Sequence, residues 1–312
     1  MEAVAVRART LSPERFLALA ITTCVALGVV VASGAFVRLT GSGLGCENWP
    51  RCGDKPYPEA GFHAWVEFGN RIVALVGITL ALVTWVGSRR VLGLSRWARL
   101  AALGAFLVAI AQIPMGGVTV ALELHPLAVM THFLLGLAVL GLAVIVVVEA
   151  WSHLAGRADP VGSLRLRRLA TWIGLPLSAA LVVTGAVATA SGPHPGASAD
   201  VERLGVPITE TVYVHVRAAA AFGIGLLILG WLLSRLRARA PGVFRLWLVL
   251  LAVTVLQAIL GEVQYRSALP WGLVLVHVVL AAAIFAGSLA LVFVLWRPPA
   301  PLLRPESSSH AA

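Results

Sequence analysis

Charge is scarce in this chain. Asp, Glu, Lys and Arg make up only 12% of its 312 residues, whereas a soluble globular domain carries roughly 25%. So little polar surface cannot coat a water-soluble particle, which excludes a soluble enzyme and a disordered chain alike. Three cysteines are too few for a disulfide-built secreted domain or a CxxC-type zinc site. Acidic residues are the scarcer sign, 14 against 24 Lys and Arg. That basic excess raises nucleic acid as a partner, but the placement of the basic residues argues against it. The ten-residue alternation of a membrane barrel strand is also missing.

What is present is apolar sequence in long runs. Hydrophobic residues account for 59% of the chain, and a helix needs roughly 20 of them to cross the hydrocarbon core. Eight stretches qualify, over 16–37, 69–87, 100–120, 127–148, 170–190, 212–233, 244–262 and 271–296. The fold class expected is an all-α membrane protein with eight transmembrane helices. Basic residues gather at the N-terminus (Arg7, Arg9, Arg15) and in the second connection (Arg89, Arg90, Arg96, Arg99). The fourth connection adds Arg157, Arg165, Arg167 and Arg168, the sixth adds Arg235, Arg237, Arg239 and Arg245, and the tail adds Arg297 and Arg304. The other side holds Arg38, Arg51, Lys55, Arg71, Arg203, Arg217 and Arg266. Under the positive-inside rule this asymmetry is a topology signal: a multi-pass protein of the cell membrane with both termini cytoplasmic, contacting lipid and no nucleic acid. Ala32-Ser33-Gly34-Ala35 mimics a cleavage site, but the apolar run before it is too long for a signal peptide, so it reads as a retained first helix.

The chain repeats itself. His132 and His277 are 145 residues apart, as are Gln112 and Gln257, and Gly116 and Gly261. Polar residues are rare in membrane helices, so their coincidence carries more weight than that of apolar ones. Each half has an even number of spans, so the expected architecture is two pseudo-twofold-related four-helix bundles. The division is 1–15 as N-terminus, 16–150 as one half, 151–169 as a cytoplasmic linker, 170–297 as the other half, and 298–312 as a flexible tail. The same register sets His215 opposite Asn70, giving His215/His277 in one half and Asn70/His132 in the other.

All four lie early in helices that run from outside to inside, and so share one depth. A single His on an apolar helix is usually a packing residue. Two imidazoles facing each other from different helices are the arrangement that ligates haem iron on both faces; zinc would need further ligands at that depth. Arg71 and Arg217 lie at the same level, where they either pair with haem propionates or snorkel to the interface. Glu67 stands one turn before Asn70 on the same face. A carboxylate there is either a functional group or a first-turn residue favoured by the helix dipole; His63, a further turn back, reads as a surface residue. Cys46 and Cys52 share an outer loop in an oxidising setting where they can form a disulfide, and Cys24 reads as inert packing.

Taken together, Gly41-Ser42-Gly43-Leu44-Gly45-Cys46, Glu67-x-x-Asn70-Arg71, Gly116-Gly117-Val118-Thr119-Val120, His132-Phe133 and the His215 and His277 helices resemble the heme A synthase family over about residues 15–297. Members oxidise a methyl group of haem O to a formyl group, giving haem A for terminal oxidases. The resemblance implies that His215 and His277 ligate a haem b iron, and that the N-terminal half receives haem O with His132 as a metal ligand. It also implies that Glu67 acts on the reacting intermediate and that Cys46 and Cys52 form the outer-loop pair. The implied partners are the haem O-producing enzyme and an electron donor. Two departures stand out. The family's first His is Asn70 here, which leaves the substrate iron held by His132 alone or with water. The loop Gly192-Pro193-His194-Pro195-Gly196 has no Cys, which rules out a second disulfide. The alternatives are a bis-His membrane cytochrome b that only transfers electrons, which Asn70 counts against, and a secondary transporter, whose site would lie nearer the midplane.

Overall fold

The computed structural model describes residues 10–46, 48–197 and 200–304. Among them are eight helices long and apolar enough to cross a membrane: α1 (Pro13–Leu39), α2 (Phe62–Ser88), α3 (Arg96–Ala121), α4 (Pro126–Ala155), α5 (Leu164–Ser191), α6 (Ile208–Ser234), α7 (Pro241–Arg266) and α8 (Trp271–Trp296). All eight expected spans are present; α8 has the bounds of its apolar run and the other seven extend beyond theirs. The largest differences are the end of α4, at Ala155 rather than 148, and the start of α2, at Phe62 rather than 69. The first two turns of α2 carry His63 and Glu67, polar residues that lower local hydropathy without interrupting the backbone ladder.

Local chemistry sets the ends. α1, α3 and α5 start at Ser12, Ser95 and Ser163, whose hydroxyls accept from the amides of Arg15, Ala98 and Leu166, satisfying donors that a helix leaves orphaned. Pro126 and Pro241 open α4 and α7, where a missing N–H costs nothing. Within α5, Pro176 cannot donate, and the backbone widens into a π-helical turn over Ile173–Leu177.

The first helix of each half reaches across to the last helix of the other: α1 packs on α4 and α8, and α5 on α8 and α4, with α4 and α8 touching at the centre. Small residues permit close approach, as the Ala98, Ala101, Ala102, Ala105 and Ala109 face of α3 does against α4. Large apolar side chains such as Val25, Leu75, Trp172 and Val249 point outward and are exposed, the inverse of a soluble bundle. Cys24 is a half-buried free thiol between the two main cores.

The even number of spans puts both described ends at one end of the bundle, with the basic second, fourth and sixth connections. Leu11 donates to Arg90 O (3.0 Å) and Arg304 to Arg239 O (2.9 Å). The tail expected to be flexible from residue 298 is held over its first seven residues. Ala158 donates to Pro298 O (3.0 Å), Ala300 to Gly156 O (2.8 Å), and Leu302 packs on Gly242. The N-terminal residues 1–9 and the tail residues 305–312 lie outside the described residues.

Candidate functional site

The end of the bundle opposite the basic connections carries Glu67, the Cys46–Cys52 loop and the four polar residues paired by the repeat. Asn70 on α2, His132 on α4, His215 on α6 and His277 on α8 each lie about two turns into their helices. The structure brings His215 and His277 together, their ring centroids 6.4 Å apart and their planes at 66°.

The surroundings of these residues are duplicated. Gln112 Nε2 donates to His132 O (3.1 Å), and Gln257 Nε2 to His277 O (2.9 Å). A Cβ on Gly116 would come within 3.7 Å of His132 Cε1, and one on Gly261 within 3.2 Å of His277 Cε1. The turns after α3 and α7 both use two left-handed residues, Glu123-Leu124 and Ala268-Leu269. Both close through the same bond, Leu124 to Thr119 O and Leu269 to Gln264 O, each 2.8 Å. His132 Nδ1 and His277 Nδ1 are both buried without a hydrogen-bond partner.

Asn70 and His215 also have equivalent neighbours, which sequence reasoning missed. Ser33 Oγ donates to Asn70 Oδ1 (2.7 Å), and Thr184 Oγ1 meets His215 Nδ1 at 3.1 Å. The next residue is glycine in both helices, and Gly34 and Gly185 face Asn70 and His215. Ser33-Gly34 and Thr184-Gly185 are offset by six residues from the 145-residue register, so a fixed-period comparison does not pair them. The Thr184 hydroxyl also contacts the carbonyls of Ala180 (2.9 Å) and Leu181 (3.0 Å). With its proton directed there, its oxygen accepts from His215 Nδ1–H, which leaves the Nε2 lone pair for a metal.

Glu67 is buried, at 6% exposure. One carboxylate oxygen accepts from the Cys46 amide (2.9 Å) and the other pairs with Arg71. Arg71 also donates to Pro50 O (2.9 Å) and Arg51 O (3.1 Å). The Glu67–Arg71 pair therefore grips the loop closed by the Cys46–Cys52 disulfide. Trp49 of that loop lies on Gly117 of α3, where a Cβ would approach its ring to 3.1 Å. Gly45 is pressed against the backbone of His63, leaving 2.4 Å for a Cβ, so no other residue fits there. His63 is exposed and bonds Ser42 Oγ through Nδ1 (2.9 Å).

The two arginines considered for propionates have protein partners here. Arg71 is occupied by Glu67 and the loop, and the exposed Arg217 lies over the Tyr213 ring, 3.1 Å from its centroid. Among the described residues no three His, Cys, Asp or Glu side chains converge as a metal-binding group. What the described residues bring together at this depth is the imidazole pair of His215 and His277.

Comparison with known proteins bears on this arrangement. A family model described as Cytochrome oxidase assembly protein (COX15-CtaA) matches residues 17–289. A heme A synthase of Bacillus licheniformis is 27% identical over 286 residues, covering 86% of this chain and 91% of its own length. A heme A synthase of Geobacillus thermodenitrificans is 39% identical over 62 residues, 20% of each chain. One from Geobacillus kaustophilus is 28% identical over 109 residues, 33% of each chain.

Proposed function

The chain belongs to the cytochrome oxidase assembly protein family that contains the heme A synthases, and from that premise we propose that it is an oxidoreductase converting a methyl group of haem O to the formyl group of haem A. The observation that carries the reading is the duplicated surroundings with one difference: two facing imidazoles in one half, and in the other His132 with matching neighbours, Asn70 at the place that corresponds to His215, and the buried Glu67 one turn before it.

His215 and His277 are the residues that would hold a haem b. Their spacing fits that group. Two metal–nitrogen bonds of ~2 Å, together with the distance from each nitrogen to its ring centre, span roughly the observed 6.4 Å. Gly185 and Gly261 lie directly against the two rings, and Thr184 orients one of them. A haem iron saturated by two imidazoles supplies one-electron transfer.

The N-terminal half receives haem O as substrate. His132 ligates its iron, and Gln112 fixes the backbone that carries this imidazole. Asn70 does not supply the second imidazole that His215 supplies in the other half. Counted with water as the oxygen source, going from methyl to formyl adds one oxygen atom and releases four protons and four electrons, so positive character builds on the carbon next to the ring. The Glu67 carboxylate stabilises that charge or accepts the proton released as hydroxyl becomes aldehyde. Cys46 N–H and Arg71 fix the position of the carboxylate. The disulfide loop sits against the same α2 face and α3 and helps to exclude water.

The duplicated contacts support a pseudo-twofold relation between the halves. The basic connections support a cell-membrane orientation with both termini cytoplasmic, which puts both haem sites in the outer half of the bilayer. Haem O arrives from the enzyme that makes it, and electrons leave through a separate carrier. The test is haem extraction and chromatography of protein purified from cells with and without a haem O source. Haem b together with haem O or haem A is the expected result; haem b alone in both cultures favours a cytochrome that only transfers electrons.

A further inference from the structure

Two guanidinium groups at the disulfide end meet no carboxylate among the described residues. Arg38, in the last turn of α1, donates through Nε to His194 O (3.1 Å) and through Nη2 to Thr189 O (3.1 Å). Arg203, from the connection between α5 and α6, donates through Nη2 to the same Thr189 O at 3.4 Å. A guanidinium has five N–H donors, and these contacts use two on Arg38 and one on Arg203. The neighbouring Glu202 is turned toward His125, 3.6 Å away. One carbonyl oxygen shared between two cations does not offset their repulsion, and burial holds the Arg203 guanidinium below its usual value. Like charges gathered this way are stabilised by an anion between them.

Their position identifies the anion. Thr189 lies one helical turn, about 5.4 Å, beyond Gly185, whose Cα faces the His215 ring. Arg38 lies one turn beyond Gly34, which faces Asn70, and takes the place in α1 that Thr189 takes in α5. Its side chain crosses from the N-terminal half to the C-terminal half, about one turn toward the disulfide end from the imidazoles. A planar ligand held at the level of the imidazoles, with acidic arms directed out of the membrane, would present its carboxylates at this height.

We propose that Arg38 and Arg203 form an anion pocket that clamps haem propionate carboxylates, in the role considered above for Arg71 and Arg217. This rests on the reading that the chain holds haem. The same carboxylate chemistry is offered by the haem b of the His215/His277 pair and by the substrate haem of the other half, and the experiment separates them. A guanidinium lends two parallel donors to a carboxylate. Removing it leaves uncompensated negative charge near the iron, which favours the ferric state.

The test is redox titration of the purified, haem-loaded protein, following the haem b and the haem O or haem A bands separately. Arg38→Gln and Arg203→Gln should lower the haem b midpoint potential, while Arg38→Lys, which keeps the charge, stays close to wild type. A fall confined to the substrate haem band assigns the pocket to that carboxylate. Unchanged midpoints for both bands at normal haem content overturn the proposal and leave the two arginines as a structural clamp on the α5–α6 connection. If Arg38→Gln does not accumulate, Arg203→Gln is judged alone by the same criterion. Wild-type protein without low-spin haem b would defeat the underlying reading instead.

Discussion

Single side chains separate the chemistry of this site from its scaffolding. Glu67 belongs to both, because it pairs with Arg71 and also accepts from the Cys46 amide. Gln at position 67 keeps the shape and can still accept from that amide, but it removes the negative charge. Glu67→Gln should therefore keep a normal haem b spectrum and stall conversion, with haem O or a hydroxylated intermediate extracted in place of haem A. Wild-type haem A levels would reduce Glu67 to a loop anchor. His277 is a sharper case, since it faces His215 across 6.4 Å and is partnered by Gln257 only through its backbone carbonyl. His277→Ala should abolish or convert the low-spin b-type spectrum while leaving the backbone intact; an unchanged spectrum at full haem content would rule the pair out as ligands.

At the scale of the element, the loop between α1 and α2 is held at four places: the disulfide, the Glu67–Arg71 grip, Gly45 against His63 and Trp49 on Gly117. A disulfide stabilises chiefly by restricting the unfolded chain, and this one closes a short loop with a sequence separation of 6. Its contribution to global stability is correspondingly small. Cys46→Ser with Cys52→Ser should lower haem A yield while haem b stays bound, measured as the haem A to haem b ratio in extracts. In unreduced wild-type protein both thiols should resist alkylation. The Trp49 contact gives an independent check on the same loop. Gly117→Val would push a branched side chain into the indole, and it should reproduce the reduced ratio with the disulfide intact.

For the whole molecule, the decisive polar contact is one that hydropathy does not reveal. Glu149 near the end of α4 is fully buried. It accepts from Ser95 at the start of α3, from Arg157 in the linker (2.7 Å) and from Arg297 at the end of α8. Ser152 adds a bond to Arg297 O (2.9 Å). One carboxylate thus ties both halves and their linker together at the basic end, far from the imidazoles. Removing one partner of a buried ion pair typically costs about 3–5 kcal/mol. Glu149→Ala should therefore lower the thermal unfolding midpoint in detergent markedly while the haem b spectrum below the transition is unchanged. A matching loss of haem b at low temperature would contradict this separation of stability from function.

The sequence by itself determined the eight spans, because helices in hydrocarbon must satisfy their own backbone and announce themselves as long apolar runs. It also determined the depth of the polar residues, because intramembrane polar groups are few enough for a repeat to be read from them. Gln112 with His132 matched Gln257 with His277 in sequence and again in geometry. Only the tertiary structure decided which groups are already partnered. Arg71 had the right depth for a propionate, yet the folded loop brings backbone carbonyls and Glu67 to it first. Arg38, unremarkable in a count of basic residues, crosses to the carbonyls of the other half. The docking of residues 298–304 was hidden for the same reason. Hydropathy records what each residue prefers to be near, and hydrogen bonding between distant segments depends on where the chain has brought them.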